Sequence, residues 1–209
     1  MNNNQFNFFI YLLALFLLVS APSIALILLI IILFLNLSVI FDNLRNFKWN
    51  YLILISSILL LISSFEKFLN ADSILNGIDP FLTLISLFNW IPLFLIFLIS
   101  KSFLDCDYKR NMTMKALCFG IVPLLISGFG QYFFNWHGPF SALKGMIVWY
   151  QRPILGEIGQ FANGIDGLTG LFNNANTAGD WLVTILPMCI YFFIQKKKNI
   201  YEKTFFLIL

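Results

Sequence analysis

Residues 6–41 read FNFFIYLLALFLLVSAPSIALILLIIILFLNLSVIF, a nearly unbroken apolar stretch that decides the fold class. One straight helix of this length would measure about 54 Å, whereas the hydrocarbon core of a bilayer is about 30 Å thick. Pro22 divides the stretch, because a proline disrupts the interior of a helix. The sequence therefore predicts two membrane spans here, over residues 6–19 and 23–41.

The composition of the whole chain agrees with a membrane protein. Hydrophobic residues make up 59% of the 209 residues, charged residues make up 11%, and the mean hydropathy is +0.84. A soluble domain carries about 25% charged residues, so this chain cannot cover a water-facing surface. The apolar blocks lack the period-two alternation of a membrane barrel, and backbone groups in lipid must be satisfied within each segment. The predicted fold is therefore an all-α, polytopic transmembrane helical bundle.

Four further apolar segments bring the prediction to about six spans in a single transmembrane domain covering residues 1–209. These segments are residues 50–65, 80–100, 113–133 and 177–195. Residues 204–209 begin another apolar run that is too short to cross a bilayer. We interpret it as the start of a seventh span, and expect the chain to be the amino-terminal portion of a longer fold.

The charges of the loops predict the orientation of these spans. Ten of the thirteen lysines and arginines fall in three loops on one side: Arg45, Lys48, Lys101, Lys109, Arg110, Lys115, Lys196, Lys197, Lys198 and Lys203. The other side holds only Lys67, Lys144 and Arg152, although its loops are longer. By the positive-inside rule, the amino terminus is cytoplasmic and the loop of residues 130–176 lies on the outer face of the plasma membrane.

An apolar stripe with helical spacing runs through this outer loop. Its members are Phe140, Leu143, Ile147, Tyr150 and Ile154. The spacing predicts an interfacial helix that lies along the membrane surface. Pro153 should end that helix near Gln151, because the residue before a proline avoids helical geometry.

Two cations of the outer loop suit the binding of phosphate. The planar fork of Arg152 fits bidentate contact with phosphate oxygens. Lys144 precedes it by eight residues and would lie near the same face of the predicted helix. The ordinary alternatives are that Arg152 anchors the loop at lipid headgroups and that Lys144 extends its ammonium to the interface.

Residues 173–177, Asn-Asn-Ala-Asn-Thr, lead into the sixth predicted span. Asn176 or Thr177 is expected to cap that helix, whose positive end would then face outward and could receive an anion. Asn174 and Asn176 would shape this entrance. The alternative is that these residues only turn the chain and cap the helix.

Asp180 and His137 are possible acid/base residues. Asp180 is expected in the first helical turn, where a carboxylate also simply stabilises the helix dipole. His137, the single histidine, follows Trp136 and would equally suit an interfacial position. Neither residue is assigned a catalytic role from the sequence.

Several familiar motifs are absent from the sequence. There is no phosphate-binding P-loop, no dinucleotide-binding glycine motif and no metal-ligand spacing. The cysteines Cys106, Cys118 and Cys189 fit no disulfide framework, and no basic stripe suits nucleic acid. We therefore expect no cofactor, no metal and no nucleic-acid partner.

Residues 167–187, GLTGLFNNANTAGDWLVTILP, resemble the O-antigen ligase and polymerase family. Members share a Gly, Phe, Asn-x-Asn, small-residue pattern at a periplasmic loop that leads into a span. The positions that match are Gly170, Phe172, Asn174, Asn176 and Gly179. Residues 136–153 also look like versions found in cyanobacterial members.

The resemblance implies an inverting glycosyltransferase of the bacterial inner membrane that acts in cell-surface polysaccharide biosynthesis. Its partners would be a glycan on undecaprenyl diphosphate, a lipid or glycan acceptor, and membrane lipids. Many members have arginine directly before the Leu-Thr-Gly step, where this chain has Gly167, so Arg152 would substitute as the diphosphate ligand.

The family also places key arginine and histidine residues in a larger loop further along than this chain extends. An inactive fragment is therefore one alternative. The others are a membrane transporter of inorganic carbon or another small solute, and a non-catalytic remnant.

Overall fold

A computed structural model describes residues 3–46, 50–69, 94, 96–152, 167–195, 201 and 204–206, which are mostly helical. The helices are α1 Asn3–Leu17, α2 Pro22–Leu35, α3 Leu37–Asn46, α4 Asn50–Leu69, α5 at residues 96–103, α6 Asp107–Gly120, α7 Val122–Phe134 and α8 Ala175–Ile194. The strands are β1 Phe140–Ala142 and β2 Ile147–Trp149.

The chain divides into two compact units. One unit comprises Met1–Leu28 with Arg110–Leu209, and the other comprises Leu29–Lys109. The first unit contains the hairpin, α8 and every residue of the predicted site that the structure describes. The prediction of one transmembrane domain over the whole chain stays a prediction.

Two helical segments among the described residues are long and apolar enough to cross a membrane, Asp107–Phe134 and Ala175–Ile194. The number rises to three at most if the bent pair Pro22–Leu35 and Leu37–Asn43 counts as one span. The prediction of about six spans and the start of a seventh is therefore wrong. The predicted spans at residues 113–133 and 177–195 do coincide with the two long segments.

The other predicted spans are wrong mainly because the helices found there are too short. The apolar helices Asn4–Leu17 and Tyr51–Glu66 are shorter than a span. At about 1.5 Å per residue they cover roughly 21–24 Å, less than a bilayer core of about 30 Å. The predicted span over residues 80–100 lies outside the described residues except near its end, and so do residues 207–209.

Asn36 bends the predicted second span. The axes of Pro22–Leu35 and Leu37–Asn43 differ by 71°. The side-chain Nδ2 of Asn36 donates to the carbonyl of Ile32 at 2.7 Å, while its backbone N–H donates to Leu33 O at 3.2 Å. Because the side chain takes the carbonyl that the α-helical ladder would use, the chain tightens and turns there.

The core of the first unit lies where α6 and α7 pack against α8. Its buried side chains are Val19, Cys118, Ile121, Leu124, Leu171, Ala178, Ile185, Cys189, Phe192 and Phe206. Gly120 allows the backbone of α1 to approach, since an added Cβ would lie 2.6 Å from the carbonyl oxygen of Phe16. The core thus uses one side of each long segment.

The opposite sides of α7 and α8 expose large apolar residues. Phe129 and Phe133 on α7 are 60% and 65% exposed, and Val183 on α8 is 70% exposed. Contiguous apolar surface of this kind is rare on a soluble monomer and marks contact with lipid or with another protein. These faces suit helices that cross a membrane.

The segment predicted as an interfacial helix forms a β-hairpin. Strand β1 pairs antiparallel with β2, with Phe140 opposite Trp149. Lys144 and Gly145 reverse the chain at φ of 55° and 87°, the left-handed region that glycine adopts without strain. The branched and aromatic residues of β2 favour extended backbone. The apolar residues that matched a helical spacing lie on two strands and on the turn between them. The predictions of a surface helix and of an all-α fold are therefore wrong.

Cys118 and Cys189 provide a direct test of the packing of α6 against α8. Both are buried free cysteines, and their sulfur atoms are 3.7 Å apart. In a Cys106→Ser background, a membrane-permeant oxidant should join them, because a small shift brings the sulfurs to bonding distance. Mass spectrometry of the digested protein should detect the linked peptides. A yield no higher than in a Cys189→Ser control would contradict the packing.

Candidate functional site

Gln131, in the last turn of α7, is the centre of a buried hydrogen-bond network. Its Nε2 donates to the backbone carbonyl of Arg152 and to Oγ1 of Thr169, both at 2.8 Å. Its Oε1 accepts from the backbone N–H of Gly170 at 2.8 Å. The side chain is 1% exposed. One glutamine therefore fastens the end of α7 to Arg152 and to the turn that precedes α8.

The sequence reasoning missed Gln131, although a signal was present. A glutamine inside an apolar helical stretch is costly in lipid and therefore marks a structural or functional site. Thr169 completes its setting, because the Thr169 hydroxyl also accepts from the backbone N–H of Arg152 at 3.1 Å. The backbone of Arg152 is thus held at both its N–H and its carbonyl.

Two further hydrogen bonds hold the hairpin in place beside this network. The indole Nε1 of Trp149 donates to Ser20 O at 2.7 Å, and Tyr150 N donates to Leu171 O at 3.0 Å. The hairpin therefore contacts both the segment after α1 and the turn before α8, which fixes its position within the unit.

Gln151 marks a sharp change in the direction of the chain. Its φ of 37° is left-handed and strained for a residue with a side chain. The conformation turns Gln151 inward, where its Nε2 donates to Ser127 O at 3.2 Å, and leaves the next residue, Arg152, exposed. Strain at this position thus separates an inward-facing amide from an outward-facing guanidinium.

Gly170 accounts for the Thr-Gly step of the predicted motif. Its φ is +56°, and an added Cβ would collide with the side chain of Leu124 on α7. Any other residue would be strained in the backbone and would also force the side chain of Leu124 to move. Glycine is therefore needed here both for conformation and for close packing.

The side chain of Arg152 contacts the turn that leads into α8. Its Nε donates to Oδ1 of Asn173 at 2.6 Å. Its terminal nitrogens have no hydrogen-bond partner within the ranges that the structure describes. A charge-assisted bond of this length holds the exposed guanidinium in place beside Asn173.

Asn174 is the N-cap of α8. It has extended backbone angles, and its Oδ1 accepts from the backbone N–H of Asn176 at 2.8 Å. The prediction that Asn176 or Thr177 provides the cap is therefore wrong, because the helix begins at Ala175. The fork of Arg152 is thus bonded to the residue directly before the cap, close to the positive end of α8.

The other predicted site residues do not join this group. Lys144 lies at the tip of the hairpin turn, so the predicted helix face shared with Arg152 does not exist. His137 is exposed, and its Nδ1 is 3.0 Å from Asn135 O. Asp180 is exposed in the second turn of α8, not in the first, because α8 begins earlier than predicted. Among the described residues, no hydrogen bond or ion pair links these three side chains to Arg152.

The chain matches no protein-family model, no curated protein and no solved structure. The resemblance of residues 167–187 to the O-antigen ligase family stays a prediction. Two of the residues that carry this resemblance have a structural role in the turn before α8. Gly170 is needed for the turn against Leu124, and Asn174 caps α8.

Replacing Gln131 with Ala should destabilise the first unit. The change leaves the buried N–H of Gly170 and the hydroxyl of Thr169 without their glutamine partner, and each unpaired buried group costs about 1–3 kcal/mol. The free energy of unfolding in mixed micelles should fall by at least that amount. Gln195→Ala is the matched control, because within the described ranges the side chain of Gln195 makes one hydrogen bond, a solvent-exposed bond to the Tyr191 hydroxyl at 3.3 Å. Equal losses for the two variants would refute the role of Gln131.

Proposed function

We propose that this protein is a membrane glycosyltransferase of the O-antigen ligase type, with Arg152 and the entrance of α8 binding the diphosphate of an undecaprenyl-linked glycan. The supporting observation is the bond between Arg152 Nε and Asn173 Oδ1, which holds an exposed guanidinium beside the capped start of α8. An arginine fork and a helix amino terminus both favour phosphate oxygens.

The distribution of basic residues supports an orientation for this site. The start of the segment Asp107–Phe134 carries Lys109, Arg110 and Lys115, and residues 196–198 after α8 are all lysine. The other ends of the two segments carry only Lys144 and Arg152. By the positive-inside rule we place the basic ends in the cytoplasm and the hairpin on the periplasmic face of a bacterial inner membrane.

The proposed reaction assigns Arg152 to the leaving group. The hydroxyl of a lipid or glycan acceptor forms a bond to the anomeric carbon of the donor glycan. The bond from that carbon to the diphosphate oxygen breaks, and the diphosphate leaves with the electron pair. A fixed cation that contacts the diphosphate stabilises the charge that develops there. The acceptor proton passes to a base. His137 and Asp180 are the two candidates for this base.

Arg152→Ala should weaken the binding of undecaprenyl diphosphate. Loss of a charge-assisted contact with phosphate costs about 1.5–3 kcal/mol, which corresponds to roughly tenfold or more in affinity. The measurement is the retention of radiolabelled undecaprenyl diphosphate by protein in vesicles. Arg152→Lys keeps the charge and loses the fork, so its affinity should be intermediate.

Arg110→Ala is the matched control for this experiment. Arg110 lies near the start of α6, at the opposite end of the segment Asp107–Phe134, and its removal changes the net charge by the same amount. Its affinity for the diphosphate should equal that of the unmodified protein. If Arg152→Ala binds as tightly as Arg110→Ala, the assignment of Arg152 is wrong.

A further inference from the structure

Helix α3 has an apolar face and a polar face, unlike the helix that precedes it. After Ser23, every residue of α2 is apolar, so α2 has no side that suits water. In α3, Leu37 and Phe41 are four residues apart on one face, and Asp42 and Arg45 are three apart on the next. The pattern changes at the 71° bend, where the chain leaves the direction of α2.

One side of α3 packs within its own unit. Ile40 is 3% exposed, and Nδ2 of Asn43 donates to the carbonyl of Leu98 on α5 at 2.9 Å. Leu98 lies about one helical turn before Lys101, the first of the charged residues around the end of α5. Because charged side chains near the end of an apolar segment mark the level of the headgroups, this bond holds α3 close to that level.

The other two sides of α3 are exposed. Leu37 and Phe41 are 39% and 66% exposed and form an apolar side, whereas exposed Asp42 and Arg45 form a polar side. At about 100° per residue, the apolar side lies between the polar side and the side of Ile40. Protein, lipid and water are met in this order by a helix that lies in the membrane surface beside a bundle.

The length of α2 agrees with such a position. Measured from the opposite boundary, its 14 residues cover about 21 Å, which is about 9 Å less than a bilayer core of about 30 Å. A helix in the membrane surface buries its apolar face about 5–10 Å below the headgroups. Helix α2 therefore brings α3 to that boundary without further turns.

We propose that α3 lies in the plane of the membrane at its cytoplasmic surface, with Leu37 and Phe41 among the acyl chains and Asp42 and Arg45 among the headgroups. The partner of this face is the phospholipid surface itself, and the guanidinium of Arg45 suits its phosphate groups. The inference rests on the proposed orientation only for the choice of leaflet, and it needs no glycosyltransferase activity.

The depth of Phe41 in a bilayer tests this proposal. A Phe41→Cys variant in a Cys106→Ser background is labelled with the fluorophore NBD and placed in vesicles whose lipids carry a nitroxide near the carbonyl end or near the methyl end of the acyl chain. The shallow nitroxide should quench about twofold more strongly than the deep one, because an interfacial side chain reaches only about 5–10 Å into the acyl region. Labelled Cys106→Ser protein is the blank.

Three further positions complete the comparison. Leu37→Cys repeats the measurement one turn earlier on the same face and should give the same order of quenching. Asp42→Cys should be quenched by aqueous iodide and little by either lipid. Val183→Cys, 70% exposed near the middle of α8, should be quenched more by the deep nitroxide than by the shallow one.

Three results would each overturn the proposal. Stronger quenching at position 41 by the deep nitroxide, as at position 183, means that α3 continues into the bilayer core. Iodide quenching equal to that at position 42 means that the face lies in water. Absence of quenching by all three agents means that protein, such as a second copy of the chain, covers the face. None of these results affects the proposed function, which is tested by the retention of undecaprenyl diphosphate.

Discussion

The hydrogen bonds of the Gln131 amide hold the described site together. A polar side chain buried near the end of an apolar helix must satisfy its own hydrogen bonds, and Gln131 does so with the backbone of Arg152, the hydroxyl of Thr169 and the N–H of Gly170. The same bonds decide where the hairpin returns to α7 and where the turn before α8 begins. The positions of Arg152 and of the α8 cap therefore both depend on one amide.

Gln151 and Arg152 are neighbours in sequence, and their side chains point to opposite sides of the chain. The strained backbone of Gln151 turns its own side chain toward α7, and leaves Arg152 on the exposed surface beside Asn173. A residue with a Cβ adopts φ of 37° only where its surroundings enforce it. Here the enforcing contacts are the bonds to Ser127 O and to the Gly138 N–H.

Hydropathy predicted the two long helical segments but overstated the number of spans, because the apolar helices Asn4–Leu17 and Tyr51–Glu66 are too short to cross a bilayer. The helices around residues 113–133 and 177–195 follow from long apolar runs. The bend at Asn36 escaped notice because a single amide can compete with the helical ladder inside a strongly apolar run. The hairpin was misread because Phe140 and Ile147 fit a helical spacing and strand pairing is not visible in such a count. Arg152 was singled out by residue type, whereas its contact with Asn173 and the role of Gln131 required the fold.

The central claim is that the hairpin and Arg152 lie on the outer face of the membrane while the start of α6 lies inside. The most direct measurement is labelling of spheroplasts with a membrane-impermeant maleimide, using two variants that each have one accessible cysteine. With Lys144→Cys in a Cys106→Ser background, the account predicts labelling of intact spheroplasts. Native Cys106, which is exposed just before α6, should react only after permeabilisation. Labelling of Cys106 in intact spheroplasts, with protection of the hairpin position, would contradict the account.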